Sequence, residues 1–252
     1  MATQSEHYGR SVTDGNGTGP DFQQWRASTR VFLQPIAAPS ILGLFGFSLA
    51  TFMVSTNLAG WYGNATSPVY LFPLAAVFGG VAQFAAAMWA YRARDGLATA
   101  MHGMWGSFWI AYGLLWLLVA THTVTIPSSG KFSPLAFWFF PLAAITFSGA
   151  IAALAENLAL TATLTSLGGG AACLAIGYIT GVHGWTTAGG WVLFGSSICA
   201  FYTATAMMWK SSFGRVVLPV GSLAASEADI PGRQLTHPIE YAEGEPGVRQ
   251  GQ

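Results

Sequence analysis

Charged side chains are scarce in this sequence, and most of the chain has none. Asp, Glu, Lys and Arg together make up 8% of the 252 residues. None of them occurs between positions 31 and 91, and only Lys131 and Glu156 occur between positions 96 and 209. A soluble domain could not hydrate a surface of this composition. The sequence therefore excludes an ordinary soluble protein and predicts an integral membrane protein.

The sequence also lacks the motifs of enzymes and of cofactor sites. It has no glycine-rich dinucleotide motif, no Walker pattern, no HExxH, no CxxC and no paired-carboxylate or Ser/His/Asp arrangement. The two cysteines, Cys173 and Cys199, lie in apolar runs, where packing is a commoner role than a disulfide or a metal site. We therefore expect no catalysis, no cofactor, no metal and no nucleic-acid partner.

What the sequence does contain is six long apolar runs. A helix that crosses roughly 30 Å of hydrocarbon needs about 20 mostly apolar residues, and each run is about that long. The runs are continuous rather than alternating with period two, which favours helices over the strands of a membrane barrel. We predict an all-α integral membrane protein built as a six-transmembrane-helix bundle. The predicted helices are Ser40–Leu58, Val69–Tyr91, Leu97–Ala120, Pro134–Ala155, Leu160–Gly181 and Ala188–Trp209.

The basic residues predict how this bundle is oriented. Nine of the ten would lie on one side of the membrane and only Lys131 on the other. An excess of Lys and Arg marks the cytoplasmic side, so we predict a multi-pass protein of the plasma (inner) membrane with both termini in the cytoplasm. We divide the chain into an N-terminal tail at 1–35 with a possible interfacial helix, a transport domain at 36–220 and a flexible C-terminal tail at 221–252.

One stretch of the second helix departs from its apolar surroundings. Gly79 and Gly80 are adjacent and would weaken the helix and expose its backbone, and the amide of Gln83 follows one turn later. On the first helix, Gly43, Phe47 and Asn57 fall on one face by their spacing. That face is either a helix-helix seam, in which small residues allow close approach, or the lining of a pore.

His102 lies in the third predicted helix, on a face that also carries aromatic residues. A histidine at membrane depth is a functional candidate. Its position near the cytoplasmic end of the helix equally favours a packed or interfacial side chain. Both a pore or proton-relay role and a packing role stay open for His102.

Several ordered motifs together resemble the acetate uptake transporter family, the succinate-acetate permease group of bacteria with fungal and archaeal relatives. The similarity extends over residues 39–221. In the first helix the chain keeps Leu42, Gly43 and one proline of the family signature but lacks its asparagine and second proline. The motifs that carry the resemblance are Gly79-Gly80-Val81-Ala82-Gln83, Gly96-Leu97-Ala98-Thr99-Ala100, Gly106-Ser107-Phe108-Trp109, Leu174-Ala175-Ile176-Gly177, Phe213-Gly214-Arg215 and Val217-Leu218-Pro219.

The resemblance implies a protomer that encloses its own pore and assembles as a homohexamer in the lipid bilayer. It implies a channel or proton-coupled carrier for acetate and related small carboxylates, with succinate in some members. It also places the pore constriction at Phe47, Trp105 and Leu167, where Trp105 stands at a position that is often tyrosine in the family.

The chemistry of the substrate predicts the kind of site to expect. A carboxylic acid with a pKa near 4 to 5 is only about one part in several hundred protonated at neutral pH, so a pathway must pass the anion or collect a proton with it. The helix interiors offer no Lys or Arg, so we expect weak sites of neutral donors. The predicted substrate-binding residues are Gln83, Gly79, Gly80, Asn57, Gly43 and Leu42.

Two other functions fit the same sequence features. An uncharged lining would also suit a hexameric channel for a small neutral amide such as urea. A non-transporting membrane sensor or scaffold would instead bind partners through its tails, which here are short and featureless.

Overall fold

The computed structural model describes residues 36–64, 67–126 and 129–224. This part of the chain forms six helices that are all long and apolar enough to cross a membrane, which confirms the predicted all-α six-helix fold. The possible interfacial helix and the two tails, apart from the first residues of the C-terminal one, lie outside the described residues. The helices are α1 (Pro39–Leu58), α2 (Ser67–Ala93), α3 (Gly96–Ala120), α4 (Ser133–Ala153), α5 (Leu158–Thr180) and α6 (His183–Phe213).

The longest helix, α6, extends beyond its predicted bounds at both ends. It begins just after Gly181 and ends at Gly214, and both glycines have a positive φ, of 75° and 66°, which side chains rarely adopt. The adjacent glycines Gly189 and Gly190 lie inside α6 and do not break it. A Cβ at Gly190 would lie 2.6 Å from the main-chain nitrogen of Ala59, so this glycine allows α6 to approach the end of α1.

The six helices form a closed ring. Neighbours in sequence pack against each other, and α1 packs extensively against α6, which closes the ring. The contact between α3 and α4 is the least extensive. Since the chain runs up and down, the start of α1, the α2–α3 turn, the α4–α5 turn and the end of α6 all lie at one end of the ring, which we call the terminal end.

The second helix is not a uniform α-helix. It is α-helical over Ser67–Ala75, widens to a π-helix over Ala76–Ala82 and returns to α-helix over Gln83–Ala93. Pro73 lies inside the first part, where it removes a backbone hydrogen bond and its ring crowds the preceding turn. The sequence predicted a weakened helix at Gly79 and Gly80, and the π-helix is the form that this irregularity takes.

The chain after α6 folds back against the start of α5. We call residues 214–224 the strap. The main-chain N–H groups of Leu158 and Ala159 donate to the carbonyls of Gly221 and Val220, both at 3.0 Å. The first N–H groups of a helix have no partner inside it, so the strap caps α5. The predicted C-terminal tail begins inside this segment, whose Ser222 is paired with Asn157 in an antiparallel bridge.

Candidate functional site

A cavity of about 270 Å³ opens inside the ring towards the terminal end. Four of its lining residues lie at a common depth, as counted along their helices from that end. Phe47, Trp105 and Leu167 are eight or nine residues in, and Gln83 is ten. At a rise of about 1.5 Å per residue this is roughly 12 to 15 Å, close to the middle of the hydrocarbon layer. The deep end of the cavity therefore lies near the centre of the membrane-spanning region.

Charged residues line only the mouth of this cavity. Asp95 belongs to the α2–α3 turn, Glu156 to the α4–α5 turn and Lys210 to the last turn of α6. The Asp95 carboxylate accepts a hydrogen bond of 2.9 Å from the Ala98 N–H and so caps α3. Glu156 is half-buried in the cavity wall.

Three residues from three helices meet at Gln83, which lines the cavity together with His102, whereas Gly43 is not among the lining residues. Its side chain is 2% exposed, and its Nε2 lies 3.4 Å from Nδ1 of His102. A Cβ on Gly43 would lie 2.5 Å from the His102 ring, so the imidazole rests directly on this glycine. Within the described part of the chain, the Oε1 atom of Gln83 is buried and has no hydrogen-bond partner. The site thus contains a buried amide with unused hydrogen-bonding capacity.

The three residues that the resemblance assigned to a constriction also lie together. Phe47, Trp105 and Leu167 come from α1, α3 and α5, line the same cavity and are each no more than 3% exposed. The Trp105 indole is held from outside the cavity, because its Nε1–H donates to Thr146 Oγ1 of α4 at 3.1 Å. Their convergence presents one indole, one phenyl ring and one isobutyl group at the deep end of the cavity.

The other predicted substrate-binding residues do not line this cavity. Leu42 is 51% exposed on the outside of the ring, one residue from Gly43 and therefore on a different face of α1. Asn57 lies at the far end of α1. Its Nδ2 donates to the Tyr62 carbonyl at 3.0 Å and so stabilises the turn that follows α1. The helical spacing put Asn57 on the same face of α1 as Phe47, but it did not show how deep the cavity reaches.

Gly79 and Gly80 face neighbouring helices instead of the cavity. A Cβ on Gly79 would lie 2.7 Å from Ala50 Cβ and from the Trp109 ring, and one on Gly80 would lie 2.7 Å from Ile110 Cγ1. These glycines therefore let α2 pack closely against α1 and α3. This close packing explains why glycines stand at positions 79 and 80, and it requires no contact with a solute.

Substituting Gly80 tests this packing role. We expect Gly80→Ala to lower the thermal unfolding temperature of the purified protein in detergent, because overpacking costs about 1 to 3 kcal/mol. Gly103→Ala is the matched control, because a Cβ there meets only Ala87 Cβ, at an ordinary 3.6 Å. The control should unfold at or slightly above the wild-type temperature. Equal stability of the Gly80 and Gly103 variants would contradict the packing role.

Sequence reasoning missed several residues of the cavity wall. Thr163 and Leu164 lie on the same face of α5 as Leu167, so its helical spacing could have indicated them. The strap residues Val216, Leu218 and Ser222 also line the mouth. No local signal predicts them, because only the packing of the strap on α5 brings them there.

Comparison with known proteins places this fold in a family. A family model described as the GPR1/FUN34/yaaH family matches residues 23–225. The succinate-acetate/proton symporter SatP of Escherichia coli (strain K12) is 26% identical over 196 residues, which cover 74% of this chain and 96% of the relative. A protein of Methanothermobacter thermautotrophicus is 28% identical over 202 residues, which cover 77% of this chain and 96% of the relative.

A solved structure gives the same result for the fold. The structure of the bacterial acetate channel SatP matches with a TM-score of 0.68 and 24% sequence identity, over 74% of this chain and all of that one. The named relatives are transporters, which confirms the predictions of a multi-pass membrane transport protein and of a chain that is not an enzyme. The chain belongs to the GPR1/FUN34/yaaH family.

Proposed function

We propose that this protein transports acetate and related small carboxylates through the ring of helices. The observation that carries the proposal is the cavity itself, whose deep part is uncharged and joins Gln83 to Phe47, Trp105 and Leu167 at one depth. The relatives support the substrate class, since two of them bear the names of a succinate-acetate/proton symporter and an acetate channel. These residues come from four different helices but lie at one depth, so a solute on this path would meet all of them together.

The lining favours a substrate that sheds its charge along the path. A bare carboxylate would be costly at the depth of Gln83, where none of the described lining residues carries a positive charge. A protonated acid has one O–H donor and one carbonyl acceptor. The Gln83 amide can satisfy both, with its Oε1 accepting and its Nε2 donating. We therefore infer that the acid crosses this level together with a proton.

A narrow apolar level next to the amide would then select by size. Phe47, Trp105 and Leu167 act as the constriction, which excludes larger acids by their bulk and hinders ions because an apolar ring holds water poorly. His102 supports the amide from the mouth side, since its ring lies between Gly43 and Gln83. Lys210 lines the mouth together with Asp95 and Glu156, so charges of both signs lie at the entrance.

The proposed function extends to the oligomeric state of the protein and to its orientation in the membrane. The outer surface of the ring carries large apolar side chains, which suit lipid or a second copy of the chain. We infer a homohexamer in the plasma membrane with cytoplasmic termini, on the family resemblance and on the distribution of basic residues. Crosslinking in native membranes and labelling of a tail from one side would test these two inferences.

The experiment that tests the function is uptake of labelled acetate into proteoliposomes, with and without an imposed pH gradient. We expect uptake that rises when the outside is acidic and that succinate or formate inhibits. Urea should not compete. Uptake of urea without uptake of acetate would favour the neutral-amide channel instead. No uptake of either solute would contradict transport of small solutes by this chain.

Gln83 is the residue whose loss should most directly slow this transport. We expect Gln83→Ala to lower acetate uptake about fivefold to tenfold, since one hydrogen bond in a buried site is worth about 1 to 1.5 kcal/mol. The control is Ser107→Ala on the exposed side of α3, which should leave the rate unchanged. A wild-type rate in the Gln83 variant, with the protein correctly folded, would remove Gln83 from the site.

A further inference from the structure

We infer that Thr146 is a specificity-determining positioning residue, which holds the Trp105 indole in place at the deep end of the cavity. This inference rests on the proposed passage of small carboxylates. Thr146 lies on α4, which supplies no cavity-lining residue among those described, and its side chain is fully buried. It therefore acts on the pathway only through the ring that it holds.

The hydrogen bonds around Thr146 fix the direction of each donor. The Trp105 Nε1–H donates to Thr146 Oγ1 at 3.1 Å, and the Thr146 hydroxyl donates in turn to the Leu142 carbonyl at 2.6 Å. An indole nitrogen can only donate, so the hydroxyl oxygen is its acceptor and the main-chain carbonyl fixes the hydroxyl proton. This chain of two bonds ties the ring on α3 to the backbone of α4.

The surrounding contacts show why this tie matters for the ring. The interface of α3 and α4 is the least extensive in the bundle. Here Met101 contacts Gly149, where a Cβ would lie 2.5 Å from the sulfur, and Phe108 packs edge-on against Phe139 with centroids 5.3 Å apart. The Trp105 bond lies between these two apolar contacts along α3. The indole also packs edge-on against Phe108 of its own helix with centroids 5.2 Å apart, so the hydrogen bond to Thr146 is its directional contact with α4.

The bond also decides what Trp105 offers to a passing solute. With its N–H directed at Thr146, the indole presents only carbon atoms to the cavity. The buried indole of Trp109 has no hydrogen-bond partner among the described residues, so a bonded indole is not simply the rule in this interior. Without Thr146, the Trp105 donor would be free to turn towards the substrate carboxyl group. Thr146 thus keeps the constriction both narrow and apolar.

The test replaces the hydroxyl without changing the shape of the side chain. We expect Thr146→Val to change the ratio of acetate to butyrate uptake about fivefold in favour of butyrate, which is the factor that the loss of one hydrogen bond supplies. Thr146→Ser retains the acceptor oxygen and should keep the wild-type ratio. Thermal unfolding in detergent should show that both variants are folded.

A double mutant separates a positioning role from a general effect on the helix. In a Trp105→Phe background there is no indole N–H, so Thr146→Val should no longer change the ratio. An equal change in that background, or no change in the single variant, would overturn the inference. If the wild-type protein itself showed no acetate uptake, that result would instead contradict the proposed function. The two failures are therefore distinguishable in one assay.

Discussion

Attaching an anionic thiol reagent to the cysteine of a Thr163→Cys variant is expected to abolish acetate uptake almost completely. Thr163 lines the cavity from α5, is 1% exposed and lies one helical turn nearer the mouth than Leu167. A sulfonatoethyl group bound there would occupy a large part of a cavity of about 270 Å³. It would also place a negative charge where an entering carboxylate has to pass. The measurement is uptake into proteoliposomes before and after the reagent.

This experiment needs a background without reactive thiols and a control at the same end of the ring. Cys173 and Cys199 are both free and partly exposed, so they are first replaced by alanine. The control is Ser212→Cys, which lies exposed in the last turn of α6 and does not line the cavity. The control cysteine should react without loss of uptake. If mass spectrometry showed full labelling at 163 while uptake continued, the cavity would not lie on the pathway.

The blocked variant also tests whether the strap forms part of the entrance. Residues of the strap line the mouth next to the α4–α5 turn, and the Leu223 N–H donates to the Glu156 carbonyl at 3.0 Å. A reagent that enters through this mouth passes the segment on its way to position 163. The rate of labelling therefore reports how open the mouth is, and acetate that occupies the cavity should slow the labelling.

The helices themselves could be predicted from the sequence because hydropathy is a local property. A run of about 20 apolar residues must satisfy its backbone hydrogen bonds internally, whatever surrounds it. The six runs therefore gave six helices, with errors mainly at the ends. The ends of α6 depend on two glycines with positive φ angles. Gly181 ends α5 just before α6 begins, and Gly214 ends α6 itself.

The site could be predicted only in part, because its geometry depends on contacts between distant segments. The sequence indicated that Gln83, His102 and Gly43 were unusual for three separate reasons. Their meeting required α1, α2 and α3 to pack around the same cavity. The glycine pair at 79 and 80 shows the opposite case. A local anomaly suggested a substrate site, whereas its neighbours are Ala50, Trp109 and Ile110 of the adjacent helices.

The family resemblance predicted the place of Trp105 but not the contact that holds its side chain. It implied an aromatic residue at a narrow level of the path, and the side chain does line the cavity. It did not indicate the acceptor on α4 that holds the indole, since Thr146 lies 41 residues away in an unremarkable apolar run. A hydrogen bond between helices leaves no periodic signal in either of them.

Shortening the apolar side chains at the deep end of the cavity should change which acids pass. We expect Leu167→Ala and Phe47→Ala each to raise the ratio of succinate to acetate uptake on the order of 10-fold or more, since one methylene group in an apolar site already discriminates by about 10-fold or more. The measurement is competition between the two labelled acids in proteoliposomes.

The matched control is Leu49→Ala, which removes the same atoms as Leu167→Ala from a side chain that is 50% exposed on the outside of α1. It should leave the ratio unchanged. A large side chain in a packed core would cost about 2 to 5 kcal/mol when truncated, whereas Leu167 already borders a cavity and should cost less. A variant that folds normally, transports acetate and still excludes succinate would place the size filter at another level. The aromatic cluster further along α3, where Phe108 and Tyr112 stack with centroids 5.2 Å apart, would then be the next level to test.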